Sequence, residues 1–263
     1  MELIFLGRGA AFNPKEGNTS AYFVENNKLF LIDCGESVFE RLVETGILEN
    51  IEEINLMITH THSDHIGSIG SLAMYSFYKL HKPLNIIMPT EAKYLSNIEN
   101  ILSGFDCDRE MYNYINEKEY DNKHKTFKNI RFIETKHRGS LNCYGVLFET
   151  QNGLIYYSGD TSEIENIKRL IENNELIDKI YIDTTTDDYP GNVHLNIEIL
   201  KKEIPEELKS RTYCMHLNND DCIERAKELG FSVAEVKSKK LIKAKRWLFL
   251  IIIFFTYHLI NNH

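Results

Sequence analysis

His60-Thr61-His62-Ser63-Asp64-His65 places three imidazoles and a carboxylate within six residues, just after the apolar run Ile54–Ile58. Side chains alternate along a strand, so a strand ending here points His60 and His62 to one side. The chain must then turn into the helical pattern that begins near Ile66. That turn brings Asp64 and His65 to the same cavity from a second direction. Nitrogen and oxygen donors of this kind suit zinc, and two sub-clusters predict two metal sites rather than one. Three later positions add donors. His137 follows the expected strand Ile130–Thr135, Asp160 follows Leu154–Ser158, and His216 ends Arg211–His216. Each sits where a strand runs out into a loop, the usual place for a site on a packed sheet. Two divalent ions about 3.5–4 Å apart would activate water and clamp the oxygens of an in-line displacement.

The elements that must position these groups alternate along the chain. Leu3–Leu6, Ala21–Glu25 and Leu29–Ile32 read as strands, with Asn26-Asn27 as a hairpin turn between the last two. Asp33-Cys34-Gly35 ends the third strand, and Ser37–Thr45 has helical spacing stopped by Gly46. Ile54–Ile58 is a buried-type strand, Ile66–Leu80 a helix and Leu84–Met88 a strand. Residues 90–125 read as polar surface helices roofing a cleft. Ile130–Thr135, Tyr144–Glu149, Leu154–Ser158 and Ile177–Asp183 read as strands. Ser162–Asn173, Asn196–Lys202 and Asp220–Leu229 read as helices, and Arg211–His216 and Phe231–Val236 close the pattern as strands. Two successive halves of alternating strands and helices predict a layered α/β domain over residues 1–236.

At 263 residues, 43% hydrophobic, the chain can build a full core. Its five cysteines are scattered without a C-x-x-C pair, which predicts reduced thiols and a cytoplasmic protein. The N-terminus lacks a basic region and leads directly into a strand-like run, unlike a secretory signal. All 39 Asp and Glu precede position 236, with 24 of the 30 Lys and Arg, so the body carries a formal −15. Such a body is a poor general binder of polyanions.

Residues 237–263 form a separate tail. Six basic residues come first, and then Trp247–Ile260 runs without a formal charge. Fourteen residues fall short of the ~20 needed to span a bilayer. A basic flank before an apolar segment could still make weak contact with a cytoplasmic leaflet. An extra core or oligomer helix, or a segment without a role, are the other readings.

The motif His60-x-His62-x-Asp64-His65, followed by His137, Asp160 and His216, resembles the metallo-β-lactamase superfamily. The resemblance spans about residues 1–236. It implies a four-layer αββα sandwich with a dinuclear zinc centre. His60, His62 and His137 would hold one zinc, Asp64, His65 and His216 the other, and Asp160 would bridge them. Asp160 stands where many true lactamases carry Cys, and His62 where flavo-di-iron proteins carry Glu. Gly7-Arg8-Gly9-Ala10-Ala11-Phe12, Gly17-Asn18-Thr19-Ser20 and Ser158-Gly159-Asp160-Thr161 resemble the ribonuclease Z-like branch. Within it, Ile182-Asp183-Thr184-Thr185 matches a His-Glu-Ala-Thr motif with Asp for Glu, and His194 matches the His of a His-Ser-Thr motif. Asp64 would orient the attacking water. His194, held by Asp183, would donate a proton to the departing oxygen or steady the phosphoryl oxygens.

Ribonuclease Z enzymes insert a tRNA-gripping arm between the third His ligand and the bridging Asp. Here the interval from His137 to Asp160 has room only for a hairpin. The chain in this respect resembles the anti-Pycsar phosphodiesterases, which open 3′,5′-cyclic nucleotides and work as homodimers. The resemblance therefore implies a small nucleotide substrate rather than tRNA, with the tyrosines of residues 94–120 as candidates for base stacking. Three alternatives stay open at this point: tRNA 3′ processing, thioester or lactone hydrolysis, and a non-catalytic metal-binding scaffold brought to membranes by its tail.

Overall fold

The computed structural model describes residues 1–90, 95–120 and 126–237. Two six-stranded sheets follow one another along the chain. The first holds β1 (Ile4–Gly7), β2 (Ser20–Glu25), β3 (Lys28–Ile32), β4 (Glu53–Met57), β5 (Leu84–Met88) and β6 (Tyr112–Asn116), in that spatial order. The second holds β7 (Asn129–Thr135), β8 (Cys143–Thr150), β9 (Gly153–Tyr157), β10 (Ile177–Asp183), β11 (Thr212–Met215) and β12 (Ser232–Val233). Each half opens with two antiparallel pairings and continues with three parallel ones. Asn26 and Asn27 adopt φ of 52° and 60°, the left-handed pair that a tight hairpin between β2 and β3 requires.

Alternation along the strands builds the layers. Leu29, Leu31, Ile54 and Leu56 point to α1 (Val38–Thr45), α3 (Ile69–Leu80) and α4 (Leu95–Gly104). Their neighbours Phe30, Ile32 and Met57 point inward, to Phe148, Ile155, Tyr157 and Tyr181 of the other sheet. Leu147, Tyr156, Ile180 and Cys214 face the outer layer of α5 (Glu165–Glu172), α6 (Ile197–Glu203) and α8 (Asp220–Glu228). The one-turn helices α2 (Ser63–Ile66) and α7 (Glu206–Lys209) complete the set among the described residues. The result is the expected αββα sandwich. Aromatic rings cement its middle: Phe23 stacks on Phe30 at 4.7 Å, and Phe148 meets Phe23 edge-on at 5.7 Å. The segment after β12 crosses back to the first sheet, where the Lys237 N–H donates to the Phe5 carbonyl at 3.1 Å. All five cysteines are buried and unpaired.

Three expectations change. The single helix Ile66–Leu80 is two, α2 and α3, because Ser68 turns its backbone toward the end of β3. Its N–H donates to the Cys34 carbonyl at 3.0 Å and its hydroxyl to the Gly35 carbonyl at 2.5 Å. The described part of residues 90–125 is helical chiefly in α4 and does not line the cavity beside the predicted donors. It contains α4, a short 3₁₀ turn and β6, the edge strand of the first sheet. Three of the four candidate stacking tyrosines consequently fail: Tyr112 and Tyr114 pack on the α1–α3 side of that sheet, and Tyr120 in the inter-sheet core. Tyr94 lies outside the described residues, as does the tail beyond Lys237.

Candidate metal centre

The site lies at the C-terminal ends of the strands, along one rim shared by both sheets. His60 follows β4, His137 follows β7, Asp160 follows β9, Asp183 ends β10 and His216 follows β11. The two sheets are stitched together there by the Tyr144 N–H, which donates to the Thr59 carbonyl at 2.9 Å. Two glycines admit close approaches. A side chain at Gly35 would overlap the Asp64 carbonyl, and Gly159, at φ 59°, sets the sharp turn that aims Asp160.

The seven sequence-predicted donors converge in two sets that share Asp160. Nitrogens of His60, His62 and His137 meet within one set: His62 Nδ1 is 2.9 Å from His60 Nε2 and 3.3 Å from His137 Nε2. Asp160 Oδ2 stands 3.8 Å from His60 Nε2 and 3.6 Å from His137 Nε2. In the other set, His65 Nε2 is 3.4 Å from Asp64 Oδ2 and 3.3 Å from Asp160 Oδ1. His216 Nε2 is 3.3 Å from Asp64 Oδ2 and 3.4 Å from Asp160 Oδ2. All but His62 are buried.

The outward nitrogens of His60, His65 and His137 are hydrogen-bonded, which frees the inward ones, whereas His216 Nδ1 is buried without a hydrogen-bond partner. His65 Nδ1 pairs with Asp33 Oδ2 at 2.8 Å, and His137 Nδ1 donates to the Val193 carbonyl at 2.9 Å. His60 Nδ1 lies 3.1 Å from the Thr59 hydroxyl. His216 Nδ1 faces Asp183 Oδ1 at 3.4 Å. The inward His65 Nε2 is buried without a hydrogen-bond partner. A buried, oriented and unsatisfied imidazole nitrogen beside two carboxylates is what a cation ligand needs, so the residues fit a metal pair. A third cluster of Asp160, Asp183, His194 and His216 overlaps the second set. Asp183 Oδ2 accepts from the Thr161 N–H at 2.9 Å and from His194 Nδ1 at 2.8 Å, which commits that oxygen to holding His194, while its Oδ1 is buried without a hydrogen-bond partner.

Electrostatics match this division. Burial disfavours a charged Asp160, but the His216 and His65 imidazoles outweigh it and hold the carboxyl well below the usual range. Burial likewise opposes a proton on His216, yet Asp160 and Asp183 push it up to about 10. His60 goes the other way: burial, then the neighbouring His65, keeps it neutral. His194 is half-buried, and Asp183 raises it despite burial.

Asp33 and Thr59 escaped the sequence reading of the site. Asp33 is fully buried at φ 62°, accepts from the Thr59 N–H at 2.8 Å and from its hydroxyl at 2.8 Å, and orients His65. Its signal was present: a carboxylate immediately after the apolar strand Leu29–Ile32. His216 shares the left-handed backbone, at φ 57°. Such φ values in non-glycine residues concentrate at functional sites.

Beside the cluster opens a cavity of about 630 Å³, lined by Asp64, His137, Asp160, His194 and His216, with Phe12 and Tyr189 also on its wall. Its volume is that of a small-ligand site.

A family model described as "Anti-Pycsar protein Apyc1" matches residues 1–238. An anti-Pycsar protein Apyc1 of Bacillus phage 010DV004 is 28% identical over 253 residues, covering 89% of this chain and 96% of its own length. A ribonuclease Z of Methanococcus aeolicus is 39% identical over 104 residues, 39% of this chain and 31% of its own. Among solved structures, the metallo-β-lactamase fold protein YhfI from Bacillus subtilis superposes with a TM-score of 0.66 at 18% identity, over 88% of this chain and 94% of that one. This chain is thus a metal-dependent hydrolase of the metallo-β-lactamase fold and belongs to the anti-Pycsar Apyc1 family.

Proposed function

We propose that this protein is a zinc-dependent phosphodiesterase that hydrolyses small phosphodiesters, with 3′,5′-cyclic nucleotides as its substrates. The observation that carries the reading is the pair of donor sets sharing Asp160 on the wall of a cavity of about 630 Å³. His60, His62 and His137 would hold one ion, Asp64, His65 and His216 the other, and Asp160 both. When bound, two zinc ions supply activated water at neutral pH and neutralise phosphoryl charge. Asp64 orients the attacking water. His194 delivers a proton to the departing ribose oxygen, and Asp183 favours its protonated form and fixes the ring for that role.

Three observations support a small substrate. The interval from His137 to Asp160 is filled by β8 and β9 alone. The body carries a formal −15 up to Val236, which repels a polyanion. The full-length relatives are named anti-Pycsar proteins. A ribonuclease Z-type activity is the second reading, favoured by the local 39% identity to an archaeal ribonuclease Z. We extend the proposal to a cytoplasmic homodimer, as the anti-Pycsar resemblance implies.

The test is a substrate panel of 3′,5′-cyclic mononucleotides, precursor tRNA and a thioester, given to zinc-loaded full-length protein. The proposal expects turnover of the cyclic mononucleotides alone. Cleavage of precursor tRNA without turnover of any cyclic mononucleotide overturns it.

A further inference from the structure

Phe12 is 98% exposed, yet the loop that carries it is firmly held. The Ala10 N–H donates to the Leu217 carbonyl at 3.0 Å, and the Leu217 N–H donates to the Arg8 carbonyl at 2.8 Å. Asn13 Nδ2 adds a second bond to the Leu217 carbonyl at 3.0 Å. Arg8 Nε pairs with Glu16 at 2.7 Å, and Arg41 Nη1 donates to the carbonyls of Leu6 and Glu16 at 2.6 and 2.9 Å. Leu217 follows His216 directly, so these bonds fasten the Phe12 loop to the strand end that supplies a metal-set residue.

A tethered loop that displays a bare phenyl ring beside a polar metal cluster calls for a planar apolar ligand. The connection between β10 and α6 supplies a second ring. Tyr189 is 53% exposed and lines the same cavity as Phe12. Its loop is also braced, with the Asn192 N–H donating to the Tyr189 carbonyl at 3.1 Å and Asn192 Nδ2 to the Asp187 carbonyl at 2.9 Å. Asn218 lines the cavity too, and its Oδ1 is buried without a hydrogen-bond partner. Two rings and an unsatisfied amide acceptor, on a wall shared with Asp160, describe a site for an aromatic heterocycle joined to a phosphoryl group.

We propose that Phe12 and Tyr189 form an aromatic rim that stacks on the base of a nucleotide whose phosphodiester lies at the metal cluster, with Phe12 as a specificity-determining residue. This rests on the phosphodiesterase reading above. Every base has a π face, so the rim selects base-bearing phosphodiesters over base-free ones while tolerating several bases.

The experiment compares full-length wild type with Phe12→Ala, Tyr189→Ala and Phe12→Trp. The substrates are 3′,5′-cyclic AMP and a ribose 3′,5′-cyclic phosphate carrying a methoxy group in place of the base. Binding of adenosine 5′-monophosphate by calorimetry gives a readout independent of turnover. Phe12→Ala is expected to raise KM for cyclic AMP and to weaken the monophosphate by ~10–100-fold, the size of one base–aromatic stack. Tyr189→Ala moves the same way. The base-free substrate is turned over as in wild type, and Phe12→Trp restores KM. Unchanged KM and binding in Phe12→Ala, or an equal loss on both substrates, overturns the rim. So does a change of molar mass in light scattering with KM intact, which assigns the ring to a subunit contact. Wild type that binds the monophosphate through Phe12 but hydrolyses no cyclic nucleotide refutes the cyclic-nucleotide reading and leaves the rim standing.

Discussion

The Asp183 carboxylate holds His194 through a 2.8 Å bond from Nδ1 to Oδ2, which leaves Nε2 as the nitrogen that would meet substrate on the proposed mechanism. Burial disfavours the imidazolium, but the Asp183 charge outweighs it and raises His194 above its ordinary value. A general acid works below its pKa, so turnover should fall as pH rises through that raised value. Asp183→Asn removes the charge and should move the alkaline limb of the kcat profile to lower pH. His194→Ala should cost ~10²–10⁴ in kcat, with zinc content at the wild-type level. Lost zinc, or unchanged turnover, would return His194 to a structural role.

Metal capture should release protons. In the metal-free chain Asp160 and Asp183 push His216 up to about 10, against burial. A metal takes the unprotonated imidazole, so its affinity should fall as pH is lowered. Calorimetry in buffers of different ionisation enthalpy reads the protons displaced, and elemental analysis should find about two zinc ions per chain, since seven donors exceed one tetrahedral shell. Asp160→Ala should abolish most activity and lower the zinc content. A fully active protein with a single metal would contradict the paired sets.

The donor cluster was legible because its chemistry sits in local sequence. His60 to His65 span one strand end and one turn, and His137, Asp160 and His216 each follow an apolar strand. The supporting shell was less visible. Asp33 reaches His65 across 32 positions of chain, through the parallel pairing of β3 and β4, and the carbonyl of Val193 carries no side-chain signal at all. The misread stretch 90–125 shows how composition misleads. Its Asn and Tyr residues suggested a polar surface, yet Tyr112 and Tyr114 obey the period of two in β6 and pack on the helical layer. The adjoining asparagines form a ladder across the sheet, with Asn85 Nδ2 donating to Asn55 Oδ1 at 3.2 Å and Asn113 Nδ2 to Asn85 Oδ1 at 3.2 Å.

Asp33 should matter for both stability and metal. Asp33→Ala strands the Thr59 N–H in a fully buried place and leaves the Thr59 hydroxyl and His65 Nδ1 only their weaker contacts with each other and with His60. Each unsatisfied buried donor costs about 1–3 kcal/mol, so the urea midpoint should drop sharply. Asp33→Asn retains an acceptor and a similar volume, and should fold. It should still lose ~10–100-fold in affinity for the metal held by His65, the usual effect of removing a carboxylate that orients a ligating imidazole. Wild-type zinc affinity in Asp33→Asn would show that His65 needs no such partner.

The tail offers the last test. Val236 bridges to Phe5 and the Lys237 N–H reaches the Phe5 carbonyl at 3.1 Å, so cutting after Lys237 keeps every described contact of the sandwich. The truncated protein should stay folded and active and be more soluble. The body's formal −15 up to Val236 repels an anionic bilayer, which leaves Lys237 to Arg246 and Trp247–Ile260 as the elements able to hold one. Full-length protein should therefore co-sediment weakly with phosphatidylserine vesicles, less so at higher salt, while the truncated chain stays in the supernatant. Equal sedimentation of both would remove the tail from membrane contact. An inactive or unfolded truncation would instead place Trp247–Ile260 in the core or in a subunit interface.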